Sequence, residues 1–99
     1  MKQLLYYTLL YDTYSSLLTS KQQSYFEDYY FKNMSLSELA TKYNVTRNAV
    51  HNHLNDTINK LEFYEENLHL NKKKQELALL LELIENEDIK KKLQEIIDL

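Results

Sequence analysis

Six polar side chains in one short stretch offer the clearest chemistry in this chain: Thr46, Arg47, Asn48, His51, Asn52 and Asn55. Asn offers a matched donor and acceptor to an adenine edge, and Arg offers two parallel donors to a guanine edge, so this set suits base reading in a major groove. The same residues also suit an ordinary solvated helix face, because only Arg47 and Lys60 bring positive charge to residues 46–60. Lys42 and Lys60 flank the set and are the candidate phosphate contacts.

The elements that must position this face are written just before it. Ser35 followed by Glu38 is a capping box, which starts a helix at Leu36. Leu36, Leu39, Ala40 and Tyr43 recur at i, i+3, i+4 and i+7 and give that helix one apolar face. Asn44 stands where the helix must stop; in a chain without glycine it is the residue that best tolerates a left-handed corner. Val45 is expected to plug the space between two helices, Thr46 to cap the second, and Val50 and Leu54 to form its inner edge. Residues 35–54 therefore read as a helix-turn-helix, with small Ala40 at the close approach. A plain αα-hairpin inside a bundle has the same spacing.

Other chemistry is weaker. His51 and His53 are two apart, which on a helix separates them by about 200°. Neither they nor His69 have a partner at metal-ligand spacing, so His53 reads as a satisfied, partly buried histidine and no metal is expected. Lys72-Lys73-Lys74 and Lys90-Lys91-Lys92 suit either RNA phosphates or solvated faces paired with glutamate, such as Lys72 with Glu76. Cysteine and glycine are absent, which removes thiolate chemistry, disulfides and glycine-rich phosphate loops together. No Ser/His/Asp order with a nucleophile elbow is present either. The chain reads as non-enzymatic and without a cofactor.

At 99 residues the chain has room for one domain. Its 43% hydrophobic content excludes disorder, no apolar run reaches membrane-span length, and the N-terminus has no signal-peptide pattern. A cytoplasmic protein with no membrane insertion is expected. The formal net charge of −3 is unevenly spread. Five basic residues against four acidic over 21–60 give way to six against ten over 61–99, a faint footprint for a nucleic-acid binder.

Without glycine or proline the chain favours continuous helix, and an all-α helical bundle is predicted. A first helix is expected over 2–18, with Leu4, Tyr7, Leu10, Tyr11, Tyr14, Leu17 and Leu18 in one stripe. Its tyrosines suit a packed core better than a platform for bases. Thr19 and Gln22 form a second capping box, opening a helix over 20–32 with Tyr25/Tyr29 and Phe26/Tyr30 paired at i, i+4. The recognition helix is expected to run on through Val50, Leu54, Ile58, Leu61, Tyr64 and Leu68. Asn86-Glu87-Asp88 breaks and caps the chain before a last helix over 88–98. This divides the chain into a helix-turn-helix domain at 1–70 and a C-terminal extension at 71–99. The extension belongs to the same domain or forms a dimer arm. The leucines at 77–84 need cover, from the last helix or a second copy, and a symmetric homodimer is the default assembly.

Residues 17–31 (LLTSKQQSYFEDYYF), the SLSELA…VTRNAV run at 35–50, and Leu61-Glu62-x-Tyr64-Glu65 with Leu68-x-Leu70 together resemble the YlxM-type proteins. The genes of that family sit beside those of the signal recognition particle and its receptor in low-GC bacteria. The motif is also similar to the DNA-binding region 4 of sigma factors. The resemblance implies an all-helical, non-enzymatic regulatory protein linked to the signal recognition particle pathway, with DNA, the particle's RNA or its protein components as partners. Carried onto this chain, the recognition face is Thr46, Arg47, Asn48, His51, Asn52 and Asn55. Where the family generally has a basic pair after the position of Leu54, this chain has Asn55-Asp56, which removes two phosphate-facing charges. A DNA-binding transcriptional regulator and a dimeric interaction module that has lost nucleic-acid binding are the alternative readings.

Overall fold

The computed structural model describes residues 3–99 and is all-helical over them, as the composition predicts. Six α-helices follow in order: α1 (Gln3–Tyr14), α2 (Ser20–Tyr30), α3 (Leu36–Tyr43), α4 (Arg47–Leu68), α5 (Leu70–Leu81) and α6 (Glu87–Ile97). Position 2, the expected start of the first helix, lies outside the described residues.

The first helix ends earlier than its apolar stripe suggests. After Tyr14 the chain tightens into a 3₁₀ turn over Ser15–Leu17. The Ser15 carbonyl accepts from Leu18 N–H at 3.0 Å and from the Gln23 side-chain amide at 2.7 Å, so α2 holds the turn in place. Leu10, Tyr11, Tyr14 and Leu18 are buried, whereas Leu4 and Leu17 are exposed. The tyrosine stripe is core.

Both capping boxes form. Thr19 Oγ1 accepts from Gln22 N–H at 3.1 Å while Gln22 Oε1 accepts from Thr19 N–H at 2.9 Å. Ser35 and Glu38 make the same reciprocal pair at 3.0 and 3.1 Å. The helix opened by Thr19 stops at Tyr30 rather than residue 32, because Asn33 takes a left-handed conformation and Met34 N–H turns back to the Asp28 carbonyl.

Two apolar clusters share α4. Leu10, Tyr11, Tyr14, Leu18 and Phe26 meet Leu61 in one; Tyr25 and Leu39 meet Val50 and Leu54 in the other. Burying a side chain of this size stabilises by roughly 1.5–3 kcal/mol, so a helix with one face in both clusters is the spine of the fold. Thr57 lies between them, fully buried, its hydroxyl returned to the His53 carbonyl at 3.0 Å. Phe26 and Tyr30 pack at 4.5 Å, the expected i, i+4 pair. Tyr25 instead stacks on Tyr43 and His53, each at 4.2 Å between ring centres.

The extension after α4 is a helical hairpin. His69 adopts a left-handed conformation and breaks the helix, α5 follows at once, and Asn86 caps α6 through the N–H groups of Asp88 and Ile89. α6 returns along α5, so the last helix packs within its own chain, with α5 also against α1. The expected Lys72–Glu76 pair does not form: among the described residues the two ion pairs both involve Asp28.

Candidate nucleic-acid interface

The turn between α3 and α4 is built as the sequence demands. Asn44 sits at φ 53°, ψ 50° and closes α3, its N–H accepted by the Ala40 and Thr41 carbonyls. Thr46 is extended and its hydroxyl oxygen accepts from Ala49 N–H at 3.0 Å, which starts α4. Val45 departs from expectation. It is 38% exposed, because its N–H is spent on the Ala40 carbonyl at the outside of the turn, and Leu39, Val50, Leu54 and Tyr25 fill the space it was expected to plug.

With Val50 and Leu54 turned inward, α4 presents Arg47, Asn48, His51, Asn52 and Asn55 to solvent, with Thr46 exposed at its start. Arg47, Asn48 and His51 come together with Leu36 around a shallow depression of about 400 Å³ where α3 and α4 begin. Asn52 and Asn55 lie on the same side of the helix one turn further on. The two ion pairs among the described residues leave Arg47 out, so its guanidinium faces solvent without a competing carboxylate.

The flanking lysines are placed differently. Lys42 Nζ lies 2.8 Å from the Asp28 carboxylate and 5.3 Å from the Tyr43 ring centre. Its hydrogen bond to Asp28 raises its pKa above the ordinary lysine value despite some desolvation. Lys60 is half-buried against α2, with Nζ 3.4 Å from Gln22 Oε1, and is turned about 140° from Asn55 around the helix. Neither lysine joins Arg47 on the front of α4.

Asp28 is the residue that sequence reading passed over. Its side chain is 3% exposed, yet it accepts from Lys42 and from the Tyr43 hydroxyl and lies 3.3 Å from Lys32. Burial alone raises its pKa, but these three donors outweigh burial and hold the carboxyl below its ordinary 3.8. The pinning of α2 to α3 follows. The acidic pair Glu27-Asp28 inside the aromatic run Tyr25–Phe31, with Lys42-Tyr43 following at the end of the next helix, was the available signal.

His53 also differs from its expected state. It is half-buried against Tyr25, but its Nδ1 has no hydrogen-bond partner, so the ring is stacked rather than satisfied. Burial lowers its pKa, the nearby Lys21 lowers it further, and Asp56 opposes both. Among the described residues no three His, Cys, Asp or Glu side chains cluster as a metal site would require.

The turn geometry, the two caps and the exposed front of α4 together make a helix-turn-helix, and a family model described as "Putative helix-turn-helix protein, YlxM / p13 like" matches residues 1–99. The chain belongs to this family. It is 52% identical over 67 residues to the UPF0122 protein YlxM of Bacillus subtilis, covering 68% of this chain and 61% of that protein. A UPF0122 protein of Caldanaerobacter subterraneus is 45% identical over 80 residues, 81% of this chain and 68% of its own length. One from Bacillus cereus is 40% identical over 94 residues, 90% of this chain and 86% of its own length. The chain thus spans about three fifths of the length of the Bacillus subtilis YlxM protein. No helix of the described residues is long and apolar enough to cross a membrane.

Proposed function

We propose that this YlxM-type protein is a non-enzymatic, nucleic-acid-binding regulator that works with the signal recognition particle in the cytoplasm, and that the front of α4 makes the contact. The observation that carries the reading is the position of Arg47: unpaired, exposed, and grouped with Asn48 and His51 at the start of α4. A cation with adjacent amide donors at the first turn of a recognition helix suits phosphate anchoring with base-edge contacts beside it. Thr46, Asn52 and Asn55 extend the polar face on either side. Lys42 acts from its edge once a phosphate competes with Asp28, whereas Lys60, turned toward α2, takes no part in the contact.

The link to the particle rests on the family resemblance and on the chemistry of a partner built around RNA. Incubating the tagged chain with the particle's protein and RNA tests it: recovery of either supports the reading, and recovery of neither contradicts it. Binding of duplex DNA as a transcriptional regulator is the second reading, favoured by the left-handed Asn44 corner that offers the start of α4 to a groove. Duplex binding that depends on Arg47, with no affinity for the particle's RNA, selects it over the first.

A further inference from the structure

The α5–α6 hairpin is held weakly by its own chain. Neither helix has a single buried residue, and at 12 and 11 residues both fall at or below the length at which an isolated helix is marginal in water. Leu77, Leu81, Leu93 and Ile97 are half-buried between them, while Leu79, Leu80, Leu83 and Ile89 lie open near the tip. Leu83 is the most prominent, 78% exposed in the turn after α5.

The base of the hairpin offers a partly apolar groove. It measures about 870 Å³ and runs between α1, α5 and the end of α6, with Leu9, Leu77, Ile96 and Ile97 among its apolar walls. Lys73, Lys74, Asp12 and Asp98 also line it. Charge along α5 and the turn after it is segregated, while α6 runs the other way, with Lys90, Lys91 and Lys92 after the tip and Glu95 and Asp98 at the base. Residues 70–75 carry three lysines and no acid, whereas residues 82–88 carry Glu82, Glu85, Glu87 and Asp88 and no base.

We infer that the hairpin is a homodimer arm in which two copies pair antiparallel, the tip of each, led by Leu83, seated in the basal groove of the other. A two-fold axis across the hairpin places both halves of the match in contact twice, since α5 of each copy is basic at the base and the turn that follows it is acidic. Glu82 and Glu85 then face Lys73 and Lys74 of the second copy, and Leu79, Leu80 and Ile89 are covered. That a single chain holds both complements favours a second copy over an unrelated partner. The two helix-turn-helix units lie at opposite ends of the resulting four-helix bundle. The inference is independent of the nucleic-acid reading, since a dimer that binds no nucleic acid leaves it intact.

Sedimentation of the full chain at micromolar concentration tests it. The wild type is expected to be a dimer. Leu83→Lys, at an exposed position, is expected to weaken dimerisation by about tenfold or more with unchanged helical circular dichroism. Lys73→Glu with Lys74→Glu, and separately Glu82→Lys with Glu85→Lys, are each expected to dissociate the dimer; mixing the two variants restores a mixed dimer, a result that loss of folding cannot produce. A monomeric wild type, a dimer indifferent to these changes, or charge-swapped variants that fail to pair overturns the inference.

Discussion

Tyr14 and Glu65, 51 positions apart, are joined directly, the tyrosine hydroxyl donating to the carboxylate. That hydroxyl also accepts from Leu70 N–H at 3.1 Å, and Glu65 accepts from the N–H groups of Asn71 and Lys72, each at 3.1 Å. The first amides of any helix lack partners within it, and α5 begins straight after His69, which supplies no side-chain cap. Side chains from α1 and α4 therefore cap α5 and fix the direction in which the hairpin leaves the domain. Burial, followed by the bond to Glu65, pushes the Tyr14 hydroxyl up to about 12, so it stays protonated and can donate throughout the neutral range.

Tyr14→Phe removes one donor and one acceptor from a fully buried position. It is expected to cost about 1–3 kcal/mol. Amide exchange at Leu70, Asn71 and Lys72 should accelerate ahead of exchange in α2–α4. Glu65→Ala should show the same pattern more strongly. Unchanged protection at those three amides contradicts the capping role.

Asn44 carries the corner of the motif by its backbone. Asn44→Gly should leave urea stability nearly unchanged, because glycine takes φ 53° without strain. Asn44→Val is expected to lose about 1–2 kcal/mol, since a β-branched residue is disfavoured in that region. Equal midpoints for the two variants would falsify this account of the turn.

The helix-turn-helix was legible because its signals are local: two capping boxes, an Asn at the corner, and apolar residues at helical spacing through Leu54. What escaped depends on partners distant in sequence. Asp28 and Glu65 look like surface acids until Lys42, Tyr43 and Tyr14 are seen around them. Val45 was misplaced because β-branched bulk suggests burial, while its position in the turn is set by the N–H it gives to Ala40. His53 reads as an inner residue from its register, but nothing in the register reveals that its ring packs on Tyr25 with Nδ1 buried and unbonded. On the interface, helical register placed the front of α4 and left the pairing of Lys42 with Asp28 unseen.

His53 makes the domain sensitive to mild acid. Its pKa lies below the ordinary 6.5 in the folded chain, so below that pH the unfolded chain binds more protons than the folded one. The stability it contributes is complete above 6.5 and is lost as pH falls through its folded value. The melting temperature should therefore drop as pH falls below 6.5, and His53→Phe, which keeps the stack on Tyr25, should flatten that drop. A slope identical in the variant contradicts the assignment.

Asp28 acts in stronger acid with the same sign. Its folded pKa is depressed, so the stability it supplies is present above its unfolded value of 3.8 and disappears as pH falls through the folded one. Asp28→Asn should weaken the domain at neutral pH and remove this acid-induced component. Denaturant titrations of both proteins at neutral and acid pH measure it, and parallel losses in the two proteins contradict it.

The most direct test of the proposed interface is a salt titration of binding to signal recognition particle RNA and to random duplex DNA, using wild type and Arg47→Ala. A phosphate contact made by Arg47 predicts binding that weakens steeply with salt, and a log–log slope shallower by about 0.7–0.9 in the variant. Absence of binding to either nucleic acid at low salt, or binding whose strength and slope ignore Arg47→Ala, contradicts it and makes the helix-turn-helix a scaffold for contacts with protein.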